Sequence, residues 1–157
     1  MRLILYQPEI PENFGAALRI CACFGISLEV IEPASFPLDA KRVRRVSMDY
    51  ADSVDFIRHE SFAAFDSERK SNGVRLLTMT TRGDALLHKF RFHCSDVIML
   101  GQESAGVPDD VLRASDHQIR IPMARGVRSL NMHVAAALAL FEASRQTKGL
   151  NDGNDAD

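Results

Sequence analysis

Cysteine is scarce in this 157-residue sequence: Cys21, Cys23 and Cys94 make an odd, scattered set. Cys21 and Cys23 stand two apart in a helical segment and point to different sides, so they cannot share a metal. Free thiols in a reducing cytoplasm are the expectation, not a disulfide framework. No apolar run approaches the ~18 residues of a membrane span, and the run at Met1–Tyr6 is too short for a signal peptide. These absences predict a cytoplasmic chain without membrane attachment. Five scattered histidines (His59, His88, His93, His117, His133) offer no ligand spacing, and no metal is expected. Nor does the chain carry a large excess of one charge. Its net charge is −2, and without the acidic stretch Asn151–Asp157 it holds 19 basic and 18 acidic residues. That balance excludes a protein that coats nucleic acid indiscriminately, so any such contact must come from a local patch.

One such patch is present. Lys41, Arg42, Arg44 and Arg45 fall within five residues, enough cations to meet several phosphates; a solvated helix face is the alternative reading. At 46% hydrophobic and 25% charged, the composition is that of one globular domain able to bury a core without disulfides or metal. Residues 1–148 read as that domain, and 149–157 as a disordered acidic tail. Strand signals at Arg2–Tyr6, Leu28–Ile31, Val54–Ile57, Arg75–Thr80, Asp96–Leu100 and Gln118–Ile121 are bounded by glycine, proline or polar residues. Helix signals at Asn13–Phe24, around Lys41–Asp49, and at Ser61–Arg69, Pro108–Ala114 and Leu130–Lys148 alternate with them. The alternation predicts an α/β domain with a mainly parallel sheet flanked by helices.

In the first helix, Asn13 reads as the N-cap and Gly25 as the stop. Phe14, Ala17, Leu18, Cys21 and Phe24 form the stripe that packs on the sheet. Glu12, Gly15 and Arg19 fall on the opposite face, where Gly15 clears space one turn before Arg19. Ser129 reads as the N-cap of the last helix. Leu130, Val134, Ala137, Leu138 and Phe141 form its core stripe, and its many alanines permit close approach to the sheet or to a second subunit. Before it, Met123–Ser129 is a polar loop following a strand, a position where α/β folds place ligands.

Gly101-Gln-Glu-Ser-Ala-Gly106 follows a strand and precedes a helix, as a phosphate loop does. Val107 and Pro108 replace the required Lys and Ser/Thr, however, and the glycine spacing also fails the dinucleotide fingerprint. What survives is a turn that lets backbone approach a ligand. Glu103 within it is either a general base or a structural carboxylate. No Gly-x-Ser-x-Gly nucleophile elbow is present. Residue by residue, the sequence stops at an α/β protein with a loop-built cleft and a basic patch.

Five blocks in order carry a resemblance over Met1 to about Thr147. They are Leu5-Tyr-Gln-Pro-Glu-Ile-Pro-Glu-Asn-Phe-Gly15 continuing to Arg19; Val30-Ile-Glu-Pro33 with Asp39–Arg45 and Asp49-Tyr50; Met79-Thr-Thr-Arg-Gly83; Met99-Leu-Gly-Gln-Glu-Ser-Ala-Gly-Val-Pro108; and Arg120-Ile-Pro-Met123 followed by Arg128-Ser-Leu-Asn131. The chain thereby resembles the TrmL-type tRNA (cytidine/uridine-2′-O-)methyltransferases of the knotted SPOUT class. The resemblance implies a C-terminal trefoil knot, a homodimer formed through helices including the first and last, and S-adenosylmethionine as cofactor. It also implies methylation of the ribose at wobble position 34 of the tRNA anticodon stem-loop, on cytidine or modified uridine. Met79, Thr80, Gly101, Glu103, Gly106, Ile121, Met123, Ser129 and Leu130 are its implied cofactor residues. Arg19 is the implied catalytic residue. Asn13, Lys41, Arg42, Arg44, Arg45, Arg128 and Asn131 are implied to meet tRNA. Many relatives differ at Phe14 (threonine), Ala105 (arginine) and the pair Met132-His133 (leucine-serine). The alternatives are methylation of another tRNA or ribosomal RNA ribose, a non-catalytic knotted RNA-binding module, and a Rossmann-type nucleotide enzyme.

Overall fold

A computed structural model describes residues 1–38, 50 and 54–147. The basic run 41–45, the helix signal around Lys41–Asp49 and the tail lie outside the described residues. In chain order the elements are β1 (Arg2–Tyr6), α1 (Pro11–Phe24), β2 (Ser27–Ile31), β3 (Phe56–His59), α2 (Phe62–Ser71), β4 (Leu76–Met79), β5 (Ala85–Leu86), β6 (Val97–Leu100), α3 (Asp109–Ala114), β7 (His117–Arg120) and α4 (Met132–Thr147). The strands form one seven-stranded sheet in the order β3-β2-β1-β6-β4-β7-β5, with every pairing parallel.

Alternation along the strands divides the core in two, because successive side chains point to opposite faces. Leu3, Leu5, Leu28, Val30, Leu77, Ile98 and Ile119 face α1 and α4. Ile4, Ile31, Leu76, Val97 and Met99 face Phe65 of α2 and Val111 and Leu112 of α3. Strands buried on both sides read as continuous apolar runs, which is why Leu-Ile-Leu and Val-Ile-Met-Leu stood out in the sequence.

Several boundaries and faces differ from expectation. Pro11, whose ring presets φ, starts α1 two residues before Asn13, so Asn13 is not the cap. The glycine stop holds: Gly25 takes the left-handed conformation at φ 59°, and the Ile26 N–H reaches the Cys21 carbonyl at 3.1 Å. Gly15 does not open a surface. It is buried, because α1 packs against both the sheet and α4. The largest correction concerns α4, which begins at Met132, past both Ser129 and Leu130. Its inward face is Met132, Ala136, Ala139, Leu140 and Ala143, whereas Leu130, Val134, Leu138 and Phe141 are exposed. Alanines let α4 lie close on α1 and the sheet, which turns the bulky residues outward. The short strand β5, with only two residues, carried no sequence signal.

Candidate functional site

A cleft of about 620 Å³ lies beyond the C-terminal ends of β4, β6 and β7, built on Met79, Leu100 and Ile119 at the strand ends. Three chain segments wall it: 80–82, 101–107 and 121–132. The position follows from the topology. The chain first winds β1–β2–β3 to one side and later fills the other with β6, β4, β7 and β5, leaving open loops where the direction reverses.

Glycines set the walls by permitting backbone contact. A Cβ on Gly101 would stand 2.3 Å from the carbonyl carbon of Gly106, and one on Gly83 would stand 2.7 Å from that of Ile119. The 101–106 loop closes on itself through the Gln102 N–H to the Gly106 carbonyl at 2.8 Å and the reverse bond at 2.9 Å. Gly106 takes φ 72°, which suits only glycine well.

Side chains then clasp this loop to the segment entering α1. The Glu9 N–H and the Asn13 amide donate to the two oxygens of Glu103, at 2.9 and 3.0 Å. In return, the N–H and hydroxyl of Ser104 donate to the carboxylate of Glu9, at 2.8 and 2.7 Å. Those Ser104 bonds, the hydroxyl's first, hold the Glu9 carboxyl below the usual carboxylate range. Gln102 donates to Gln7 at 3.1 Å, and Gln7 itself sits at φ 47°, a strained conformation held at the site by its surroundings. The result is a preorganised rim: two glutamates each fix the other's loop.

Every cofactor candidate faces this cleft: Met79, Thr80, Gly101, Glu103 and Gly106 from two walls, and Ile121, Met123, Ser129 and Leu130 from the third. Asn13, Arg128 and Asn131 line it too. Arg19 does not. It lies on the exposed side of α1, with its guanidinium carbon 5.5 Å from the centre of the Tyr50 ring. Lys41, Arg42, Arg44 and Arg45 fall outside the described residues. Sequence reasoning missed Arg82, an exposed cation on the rim paired with Asp109 at 3.0 Å, although it stands in the Thr-Thr-Arg-Gly block. It also missed the bond between His133 and Asn13 at 3.1 Å, which no one-dimensional pattern announces across 120 residues of chain.

Chemically, the cleft offers strand-end backbone, thioether and aliphatic side chains for an apolar ligand body, and amides, hydroxyls and Arg128 for polar ends. Its volume falls in the roughly 300–1,000 Å³ range of sites for compact cofactors. Among the described residues there is no group of three or more His, Cys, Asp or Glu placed to hold a metal.

The family model for the SpoU rRNA methylase family matches residues 1–141. A tRNA (cytidine(34)-2′-O)-methyltransferase of Ancylobacter novellus is 46% identical over 149 residues, which are 95% of this chain and 94% of that protein. A solved structure described as giving insights into the 2-OH methylation of C/U34 on tRNA superposes with a TM-score of 0.86 at 42% identity, over 92% of this chain and 94% of that one. The SpoU methyltransferase AviRb of Streptomyces viridochromogenes, solved in complex with its cofactor AdoMet, superposes with a TM-score of 0.80 at 28% identity, over 93% of this chain and 57% of that one.

Proposed function

The chain belongs to the SpoU rRNA methylase family, and on that premise we propose that it methylates the ribose 2′-hydroxyl of nucleotide 34 in tRNA, using S-adenosylmethionine. The observation that carries this reading is the cleft itself. All nine residues that the sequence resemblance assigns to the cofactor converge on one space at the C-terminal ends of three strands. Relatives at up to 46% identity over nearly the full chain carry the wobble-cytidine activity in their names. A relative with a solved structure binds AdoMet.

Bound there, the cofactor supplies an electrophilic sulfonium methyl for in-line attack by the ribose oxygen. Positioning then supplies much of the rate, and the rigid rim is suited to it. Both Glu103 oxygens accept hydrogen bonds, from the Glu9 N–H and the Asn13 amide, so Glu103 anchors the loop. Arg19, with a guanidinium pKa above ~12, is a poor base and instead orients phosphate or stabilises developing negative charge. Arg128 and Asn131 hold the RNA at the mouth, with the basic run 41–45 as a further backbone contact.

We extend the reading to a homodimer. Val134, Leu138 and Phe141 repeat at helical spacing on one face of α4, and all are exposed. An apolar stripe of this kind fits a second copy of the chain. Pairing through the α1–α4 side would set Arg19 to work in the second subunit's cleft, which accounts for its place outside its own. The C-terminal trefoil knot that the resemblance implies belongs to the same proposal; the end of α4 lies on the 90–92 segment, where the Gln146 amide donates to the Phe90 carbonyl and accepts from the Phe92 N–H. No described helix is long and apolar enough to cross a membrane, and we place the enzyme with its tRNA in the cytoplasm.

The test is methyl transfer from tritiated S-adenosylmethionine to total tRNA lacking this modification, followed by nucleoside mapping. Label at a 2′-O-methylated nucleotide 34 is the expected result. Label at another ribose would move the substrate while keeping the reaction, and absence of both label and cofactor binding would overturn the enzyme reading.

A further inference from the structure

His133, in the first turn of α4, does not line the cleft, yet its Nδ1 lies 3.1 Å from Oδ1 of Asn13, which does. Hydrogen-bond chemistry orients the whole group. A carboxylate only accepts, so the Asn13 amide nitrogen must face Glu103, as it does at 3.0 Å. The Asn13 oxygen therefore faces His133, and His133 Nδ1 must carry a hydrogen to donate. A flipped Asn13 would set its carbonyl against the carboxylate, losing that bond. It would keep the one to His133 only if the imidazole gave up its Nδ1 hydrogen and accepted from the NH2, so the flip costs a hydrogen bond and a change of tautomer together. Beyond these two bonds, the amide keeps one N–H and one lone pair for a ligand in the cleft. The Glu103 end is itself secured by the Glu9 N–H at 2.9 Å.

Resting on the methyl transfer proposed above, we propose that His133 is a positioning residue. The relay His133–Asn13–Glu103 locks the Asn13 amide in one orientation toward the ribose and phosphate of the nucleotide being methylated. Three separate elements hold it: α4 supplies the donor, α1 the amide, and the 101–106 loop the acceptor. Because His133 acts through Asn13 and sits outside the cleft lining, its loss slows the reacting geometry without removing a cofactor contact.

Three full-length variants test this. H133L removes the donor. H133N keeps an N–H at the place of Nδ1, whereas H133Q moves it one bond farther out. H133L and H133Q are expected to lower kcat about fivefold to tenfold, as loss of one orienting hydrogen bond would, while S-adenosylmethionine affinity by calorimetry stays within about twofold. H133N is expected to recover most of the loss. In parallel, the Asn13 side-chain amide resonances should shift and broaden in H133L and return in H133N. Unchanged kcat in H133L, or H133N as slow as H133L at equal thermal stability, overturns the inference. Inactivity of the wild type would instead remove the methyl-transfer reading. The relay would then be judged on the Asn13 resonances, and their indifference to H133L would overturn it too.

Discussion

The two ends of the sheet are built on opposite principles. At the N-terminal ends of the strands, buried charges are paired. Arg75 grips Asp96 with two bonds of 2.8 and 2.7 Å, and Asp96 is fully buried. Arg69, 2% exposed, donates to Asp66, Asp116 and the carbonyls of Val74 and Ala114, while Asp116 also accepts the Leu76 N–H. Glu29, in the middle of β2, is buried between Arg2 at 2.8 Å and His59 at 2.7 Å. At the C-terminal ends the backbone is open, glycines allow tight turns, and the polar groups of the rim are fixed yet border the cleft. Charged networks that satisfy themselves hold a fold together; polar groups held in place with capacity to spare bind ligands.

That contrast predicts a separation of effects. Arg69→Ala should lower stability by about 3 kcal/mol in urea titration, since it leaves the carbonyls of Val74 and Ala114 without that donor and takes one partner each from Asp66 and Asp116, while cofactor affinity of the folded protein stays unchanged. A large loss of affinity in that variant would break the division between the two ends. Leu138→Asp tests the exposed stripe: it should weaken self-association about a hundredfold, read by sedimentation, and take methyl transfer down with it. An active monomer would confine the whole site to one chain. Gly101→Ala should lower cofactor affinity about tenfold by calorimetry, because its Cβ has no room against Gly106. Its melting temperature should fall less than that of the Arg69 variant.

The smallest effect concerns acid. The bidentate bond from Arg145 and the amide of Gln146 pull the Glu142 carboxyl down to about 2. Since its pKa is lowered on folding, its stabilising contribution is present above the ordinary value of 4.5 and disappears as pH falls toward about 2. Glu142→Gln should therefore shrink the difference in Tm between pH 5 and pH 2.5 by only about a degree, as befits a surface pair. A shift as large as that of Arg69→Ala would mean that α4 carries more of the stability than the sheet's charged end.

Legibility in the sequence was uneven for physical reasons. β1, β2, β4 and β6 are buried parallel strands and show as short apolar runs. The less buried β3 and β7 were visible mainly through the residues that bound them, and β5 was not because two residues make no pattern. The glycine loop at 101–106 and the polar loop at 123–129 stood out because few residue types tolerate such backbone. The inner face of α4 was misread because both of its faces are apolar. Periodicity measures the direction of a stripe only when the opposite side is polar. Asn13 looked like a cap, and its partners Glu103 and His133 lie 90 and 120 residues away.

By itself the sequence determined the alternation of strands and helices, the glycines that need special backbone, and the family, since these depend on local composition and on order along the chain. The tertiary structure decided which face of α4 meets the core and which meets solvent. It also decided that Arg19 stands outside the cleft, and that Glu9, Asn13, Glu103 and His133 form one clasp. These are contacts between distant segments, set by how helices pack on a sheet, and neither propensity nor spacing encodes that packing.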